Sequence, residues 1–388
     1  MLARGMIAGQ VAPSLALLAG AGLFLRSLIN LMNVDTGFDK RNVLVTDIDP
    51  GSAGYRPDAR LQDLMARVEK RVGAIRGIEA ASFSLFVFNE GEMTDTVTVV
   101  GRAKSDHDPE VDQSIVGSQF LDAMKMRLIL GRKFNERDTA NSQKVALINE
   151  TMARVYFAGA SPIGRTFSVG DSPKPRDMTV VGVVQDAKYD GLEEKPRPAA
   201  FYPHSQRTGF ANNFVVRYSG DPKILIPEIR RAFAEVDPNL PVSDFWTLAK
   251  MVDDSVQTQR LVAQLSSLFG ALAAMLACIG IYGVMSYGIA RRTNEFGIRM
   301  ALGAQRNDVL WMVLRETLGL VLLGVAAGLA LAWMLSRLVT SMLFGLSPTD
   351  PLAIGLAAAL MIAVALFAGW IPARRATRID PTVALRYE

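Results

Sequence analysis

The sequence predicts an α-helical membrane protein with four transmembrane helices plus a large α+β extracytoplasmic domain of two lobes between helices 1 and 2. Three observations predict this class: four long apolar runs, one long charged block after the first run, and arginines clustered beside the runs. The 388 residues are 50% hydrophobic and 21% charged, with a mean hydropathy of +0.21. This composition is too apolar for a disordered chain and high for a purely soluble one.

The four apolar runs are each long enough to cross a bilayer as a helix, which takes roughly 20 residues. They occupy residues 5–25, 261–289, 317–336 and 352–371, and we expect Trp370 and Pro372 to end the last one. None alternates with a period of two, which argues against barrel strands. None contains Asp, Glu, Lys or Arg, so we expect no ion or proton relay through them.

The first run has two interpretations. Residues 1–4 could be the charged start of a signal peptide, with Ala19, Gly20 and Ala21 as a cleavage site. The run continues to Leu25, however, which is longer than the apolar part of a usual signal peptide. Its length therefore favours an uncleaved membrane anchor.

The net charge of +4 is concentrated near the apolar runs. Residues 27–259 hold 29 Lys+Arg and 32 Asp+Glu, whereas the rest of the chain holds 13 and 6. This distribution is typical of membrane orientation and not of a nucleic-acid-binding face. Nine arginines lie in residues 290–316 and in the tail: Arg291, Arg292, Arg299, Arg306, Arg315, Arg374, Arg375, Arg378 and Arg386. The positive-inside rule then predicts that both termini and residues 290–316 are cytoplasmic, and that residues 27–259 and 338–351 are external.

Small residues recur at three- or four-residue spacing within the runs, an arrangement that lets helix backbones approach closely. The sets are Gly270, Ala274 and Cys278; Gly280 and Gly283; Gly324 and Gly328; and Gly355, Ala359 and Ala363. They indicate either helix–helix contacts or the ordinary composition of membrane helices.

The external block begins and ends with strand–helix–strand patterns. We expect strands at 42–48, 78–88, 94–100, 213–218 and 241–245, and helices at 57–75 and 222–236. A further helix over 248–264 carries no Pro or Gly, so we expect a continuous stalk that enters the second run.

The middle of the block, roughly 110–206, is predicted to be a second lobe inserted into the first. Its patterns predict helices near 118–124 and 150–157 and strands at 144–148, 165–169 and 178–184. Gly, Pro and Asp punctuate these elements, as is usual for loops.

Motifs of catalysis are absent from the sequence. It contains no phosphate-binding G-x-x-x-x-G-K-[ST] loop and no G-x-S-x-G elbow. Cys278 lies inside an apolar run, which makes it a poor nucleophile, and two histidines exclude a His-rich metal site. The acidic stretch 105–110 lacks the spacing of a calcium loop and is interpreted as a solvated loop.

Several motifs together carry a family resemblance. Residues 291–304 read R-R-T-N-E-F-G-I-R-M-A-L-G-A, and the tail reads I-P-A-R-R-A at 371–376 and I-D-P-T-V-A-L-R at 379–386. The external block contains G-R-K-F at 131–134, V-A-L-I-N-E at 145–150, P-I-G at 162–164 and V-V-G-V-V at 180–184. Over essentially the whole chain these motifs resemble MacB/FtsX-type ABC transporter permeases, in particular the second half of longer permeases that carry two such modules in tandem.

The resemblance implies three domains: a first transmembrane helix (1–26), a MacB-like core domain (27–259) and an FtsX-like permease domain (260–388). It assigns contact with an ATP-binding partner to a coupling helix containing Glu295, Gly297, Arg299 and Gly303. It also assigns a cytoplasmic tail motif to Pro372, Arg374, Pro381, Leu385 and Arg386. The amphipathic run with Phe296, Ile298, Met300 and Leu302 suits such docking. A positive-inside loop held by lipid headgroups is the alternative.

The resemblance further implies a non-catalytic subunit without cofactors in the cell's inner membrane. Its expected partners are an ABC ATP-binding subunit, a second copy or second permease module, a periplasmic adaptor, an outer-membrane channel and membrane lipids, but no nucleic acid. The expected function is efflux or extrusion driven by the partner's ATP hydrolysis. The alternatives are activation of a cell-wall hydrolase, as in FtsX-like relatives, and a receptor, which the short cytoplasmic segments disfavour.

Overall fold

The computed structural model describes residues 2–89, 91, 93–100, 102, 105, 108–158, 160–170, 176–207, 209–292, 295–296, 298–299, 302, 305–337, 340, 343–347 and 349–376. The helices are α1 (Leu2–Met32), α2 (Ala59–Gly73), α3 (Phe120–Met124), α4 (Glu150–Tyr156), α5 (Pro222–Val236), α6 (Leu248–Ser255), α7 (Gln257–Arg291), α8 (Arg306–Ser336) and α9 (Pro351–Ala376). The chain divides into a helical unit, formed by residues 1–33 and 257–388, and an α+β unit, Val34–Val256.

The strands all belong to the α+β unit. They are β1 (Val43–Ile48), β2 (Ile78–Ser84), β3 (Thr94–Asp95), β4 (Val97–Val99), β5 (Val111–Val116), β6 (Leu128–Gly131), β7 (Val145–Asn149), β8 (Thr166–Val169), β9 (Arg176–Val184), β10 (Ala199–Pro203), β11 (Asn213–Tyr218) and β12 (Val242–Thr247).

Four helices of the helical unit are long and apolar enough to cross a membrane: α1, α7, α8 and α9. The expected number and positions of the spans are therefore confirmed. Two expected ends are wrong. The helix α9 does not stop at Ile371 but continues through Pro372 to Ala376, and α8 begins at Arg306, well before the apolar run. A proline inside a membrane helix is tolerated where neighbouring helices support the backbone.

The helix α1 packs against the other three spans. Its buried face repeats every four residues through Ile7, Val11, Leu15 and Ala19, and it forms one core with residues of α7, α8 and α9. Two polar side chains of α1 donate to backbone carbonyls of α7: Gln10 Nε2 to Leu276 O at 2.8 Å and Ser14 Oγ to Ala273 O at 3.1 Å. Such bonds fix the register of two packed membrane helices.

The opposite end of α1 is bonded to the segment between α8 and α9. Arg26 forms an ion pair with Asp350, whose side chain also accepts from Ala353 N at 2.8 Å at the start of α9. Ser27 Oγ accepts a bond from Phe344 N at 2.8 Å. These bonds hold the segment between α8 and α9 against the end of α1.

Some of the recurring small residues make close contacts and others do not. A Cβ placed on Gly324 would lie 2.7 Å from Val11 Cβ, and one on Gly328 would lie 2.9 Å from Ala12 O. By contrast, a Cβ on Gly283 or Gly355 would meet nothing within 4 Å. A Cβ on Gly280 would lie 1.9 Å from Gln10 Oε1, and one on Gly270 would lie 3.3 Å from Ala21 Cβ. The helix-contact interpretation therefore holds for Gly270, Gly280, Gly324 and Gly328.

The α+β unit contains a 12-stranded sheet with the order β12-β1-β11-β2-β5-β10-β7-β9-β8-β4, to which β3 and β6 are added beside β5 and β9. Within the sheet, only the pairs β5–β10 and β7–β9 are parallel among the described strands. The ladder between β2 and β5 is a single residue pair, Ser84 with Val116. This narrow junction divides the sheet into two lobes.

The first lobe packs α2 and α5 on its four strands, β12, β1, β11 and β2, around Phe83, Phe214 and Phe233. The second lobe packs α4 on the remaining strands around a separate core that includes Met152 and Phe167. The chain leaves the first lobe after β2 and returns to it at β11. Val97 and Val99 also belong to the second core, upstream of residue 110.

Among the residues that the structure describes, Arg217 of β11 is the largest fully buried side chain. Its guanidinium donates to Ala123 O at 2.7 Å, Asp39 O at 2.7 Å and Arg41 O at 2.9 Å. Burial lowers the pKa of Arg217, yet a guanidinium stays charged in proteins. The three carbonyls therefore replace the water that the charge would otherwise hold.

Three expected elements of the α+β unit differ from the structure. The strand expected over 78–88 ends at Ser84, and the one over 94–100 is two short strands that pair with different neighbours. The expected stalk helix over 248–264 is interrupted at Val256, where φ is −102° and ψ is 14°. Ser255 Oγ donates to Val252 O at 2.7 Å, the carbonyl that the Val256 N–H would bind in a continuous helix, and such side-chain bonds often bend helices.

Candidate coupling surface

The segment between α7 and α8 contains a helical turn. Residues 295, 296, 298 and 299 are helical, and Phe296 N and Leu302 N each donate at 3.0 Å to the carbonyl four residues earlier. Glu295 Oε1 and Arg299 Nη2 lie 2.7 Å apart as an i,i+4 pair on this turn. Gly297 and Gly303, which the resemblance assigns to the same site, lie outside the described residues.

Phe296 anchors the turn in the helical unit. Its side chain is 3% exposed and packs in a core with Ile289 of α7, Val309 and Val313 of α8 and Ala373 of α9. One aromatic side chain therefore places the turn in a core to which three of the four spans contribute.

The outer side of the turn carries two exposed apolar residues, Ile298 at 49% and Leu302 at 83% exposure. Glu295 and Arg299 are about half exposed beside them. We call Glu295, Ile298, Arg299 and Leu302 the coupling surface. A helical turn with apolar side chains between a carboxylate and a guanidinium has the chemistry of a protein-docking surface.

Both ends of the segment are held by polar contacts. Arg292 Nη1 lies 2.9 Å from Glu316 Oε2, which joins the end of α7 to α8. Asp308 Oδ2 accepts from Gln305 N at 3.0 Å and so caps the start of α8.

The tail motif is only partly described. Pro372 is buried inside α9, and the Arg374 guanidinium lies exposed over the Trp370 ring, 5.2 Å from its centroid. Pro381, Leu385 and Arg386 lie outside the described residues.

Sequence reasoning grouped Phe296 with Ile298 and Leu302 as one apolar set, and missed that Phe296 faces inward. Its aromatic ring was the available signal, since large rings bury the most surface. The ion pair between Arg26 and Asp350 was also missed, because the two residues are 324 positions apart in the chain.

The buried titratable groups lie elsewhere, within the α+β unit. Burial raises the pKa of Asp112 to about 6, and nearby Glu194 adds to the shift. Burial also raises the pKa of Glu69, although His204 acts against it. Within the described ranges, no group of three His, Cys, Asp or Glu side chains is placed to hold a metal ion.

Two family models match the chain and together cover most of it. The MacB-like periplasmic core domain matches residues 14–268, and the FtsX-like permease C-terminal domain matches residues 267–381.

Curated relatives match in the same way. A macrolide export ATP-binding/permease protein MacB of Azoarcus is 31% identical over 66% of this chain and 40% of its own length. A pyoverdine export ATP-binding/permease protein PvdT of Pseudomonas putida is 28% identical over 69% and 42%. The uncharacterized ABC transporter permease YknZ of Bacillus subtilis is 25% identical over 73% and 72%. The chain thus spans about two fifths of the length of the export proteins.

Among solved structures, the periplasmic region of MacB from Actinobacillus actinomycetemcomitans is 16% identical, with a TM-score of 0.39, over 57% of this chain and 95% of that one.

Four membrane-spanning helices, a large α+β unit between the first two and the two family matches define an ABC transporter permease. The chain belongs to the MacB/FtsX-type family of these permeases.

Proposed function

We propose that this chain is a non-catalytic permease subunit that couples ATP hydrolysis by a separate ATP-binding subunit to movement of its extracytoplasmic domain. The observation that supports the proposal is the division of one helical turn into two sides. Ile298 and Leu302 are exposed for a partner, whereas Phe296 is buried among α7, α8 and α9. A displacement of the turn would therefore reach three spans through one side chain.

The contact with the ATP-binding partner is assigned to Glu295 and Arg299, together with Gly297 and Gly303, whose lack of a side chain permits close backbone approach. A separate cytoplasmic tail motif is proposed at Pro372 and Arg374 and, beyond the described residues, at Pro381, Leu385 and Arg386.

The proposed orientation places both termini in the cytoplasm and residues 27–259 outside the inner membrane. Nine arginines in the two inner segments, against Arg337 alone at the start of the outer link, support it. The proposed domains are residues 1–26, 27–259 and 260–388. A second copy or second permease module would complete the membrane part, and an adaptor and outer-membrane channel would complete an export route.

The proposed output is efflux or extrusion of a substrate. Two of the relatives compared above carry export in their names, one of macrolides and one of pyoverdine, and this favours export over activation of a cell-wall hydrolase.

A charge exchange tests the coupling surface. In the double variant Glu295→Arg and Arg299→Glu, the two side chains still form an i,i+4 pair, so the turn keeps part of an internal stabilisation of about 0.2–0.5 kcal/mol, less than in the native order. A partner whose surface charges complement Glu295 and Arg299 would now face a like charge at each position. We expect partner-stimulated ATP hydrolysis to fall at least tenfold, while the amount of inserted protein is unchanged.

The single variant Glu295→Arg is the matched control, because it breaks the internal pair as well. If the double variant restored the stimulation of ATP hydrolysis that the single variant lost, the ion pair would only stabilise the turn. The assignment of these side chains to a partner would then be wrong.

A further inference from the structure

A cavity of about 450 Å³, half open to the surface, lies in the helical unit beside the turn that carries the coupling surface. We call it the arginine cavity. Arg291 and Arg292 line one part of it, and Phe296 forms part of its wall. Its volume is in the range of cavities that bind small molecules.

The other walls are apolar and come from three helices: Ile7 of α1, Val284 and Met285 of α7, and Val313 and Leu320 of α8. Val284 precedes Arg291 by seven residues, which is about 10 Å along a helix. The cavity therefore has a hydrocarbon-lined part and a charged part separated by about two helical turns.

The charged part favours an anion. Glu316 also lines the cavity, but its carboxylate is 2.9 Å from Arg292 and is compensated by it. Arg291 adds a further positive charge, and its guanidinium lies 5.7 Å from the centroid of the Tyr287 ring. Such stacking holds the planar group at the cavity while leaving its N–H donors available.

We propose that the arginine cavity binds an anionic phospholipid, with the phosphate held by Arg291 and Arg292 and acyl-chain carbon between α1, α7 and α8. Charge complementarity selects this occupant: Arg291 and Arg292 against the single carboxylate of Glu316 leave a net positive charge that suits a phosphate, and the aliphatic walls suit a hydrocarbon chain. In the proposed orientation the lipid belongs to the cytoplasmic leaflet. The lipid would contact Phe296, the buried residue through which the coupling surface packs against the helical unit.

Native mass spectrometry of the purified full chain with added phosphatidylglycerol or phosphatidylcholine tests the binding directly. We expect phosphatidylglycerol to bind in preference. Arg291→Gln should weaken it roughly fivefold, the effect of one basic residue at an anionic lipid surface. The matched control is Arg337→Gln, which removes an arginine stacked on Trp333 at 4.5 Å at the other end of α8 and should change nothing.

A second pair of variants tests the hydrocarbon part without changing charge. Gly288 lines the cavity, and a Cβ there would meet nothing within 4 Å, so Gly288→Leu adds apolar volume at the cavity wall without a clash at its Cβ. It should weaken phosphatidylglycerol binding severalfold. Gly283→Leu, at an equally open position of α7 outside the cavity, should not.

Glycerol phosphate, which has the headgroup chemistry but no acyl chain, should not compete with the lipid. Three results would overturn the proposal: equal binding of the two lipids, unchanged binding in Gly288→Leu, or displacement of the lipid by glycerol phosphate. The last result would leave a simple phosphate site. None of these readouts depends on ATP hydrolysis, so the lipid site and the coupling surface are tested separately.

Discussion

At the scale of single residues, Arg217 shows how one buried charge orders its surroundings. Its three carbonyl acceptors belong to residues 39, 41 and 123, in two segments that are far from Arg217 in the chain. We expect Arg217→Met to destabilise the α+β unit by about 3 kcal/mol, because buried carbonyls lose a charged donor. Faster hydrogen exchange of β11 in the full chain would measure this.

The control is Arg230→Met. Arg230 also donates to backbone carbonyls, of Val242 and Ser243, but its side chain is 41% exposed and water can replace it. The expected cost is about 1 kcal/mol or less. Equal hydrogen exchange in the two variants would mean that burial does not determine how much Arg217 contributes to the stability of the α+β unit.

Prediction from sequence was also limited at this scale. The residue types of the coupling segment were sufficient to predict an amphipathic turn, and the structure has a helical turn there. They did not predict that Phe296 is buried while Ile298 is exposed, because the direction of each side chain depends on packing against α8 and α9. Whether Glu295 and Arg299 contact a partner stays a prediction.

At the scale of elements, apolar length predicted the spans well because a bilayer requires a fixed number of residues. It did not predict where the helices end. The charged start of α8 at Arg306 and the passage of α9 through Pro372 depend on capping and packing, which leave no hydropathy signal. The break at Val256 coincides with a side-chain bond from Ser255 to Val252 O, which helix propensity does not describe.

Two central strands were missed for a related reason. The strand β5 reads V-D-Q-S-I-V, and its buried Gln113 and Ser114 conceal the apolar pattern of an inner strand. Gln113 is accommodated because Tyr202 of β10 donates to its Oε1, a partner 89 residues away. The second missed strand is β10, which reads A-A-F-Y-P and ends in a proline. Local pattern therefore described the first lobe better than the second.

The contact between α1 and α8 gives a prediction for these elements. In Gly324→Leu the new side chain would collide with Val11, whose branched Cβ cannot move away. Overpacking of this kind costs about 1–3 kcal/mol, so we expect a lower melting temperature of the full chain in detergent. Gly319→Leu in the same helix meets no atom within 4 Å and should be neutral or stabilising. Equal melting temperatures would contradict close packing at Gly324.

At the scale of the whole molecule, the orientation across the membrane is open to a direct test. In a chain whose Cys278 is replaced by alanine, single cysteines at Ser205, Thr349 and Thr293 are treated with an impermeant thiol reagent on intact cells. We expect labelling at Ser205 and Thr349, and at Thr293 only after the cells are opened. External labelling of Thr293 would contradict the positive-inside assignment.

The central claim is that ATP hydrolysis on one side of the membrane moves the α+β unit on the other. The most direct measurement is hydrogen exchange over residues 34–256 in nanodiscs holding the chain and its co-purified ATP-binding protein, with and without a trapped ATP analogue. We expect the analogue to change hydrogen exchange in this unit when the partner is present, and to leave it unchanged when the partner is absent. Identical exchange in both nucleotide states, in a complex that hydrolyses ATP, would contradict it.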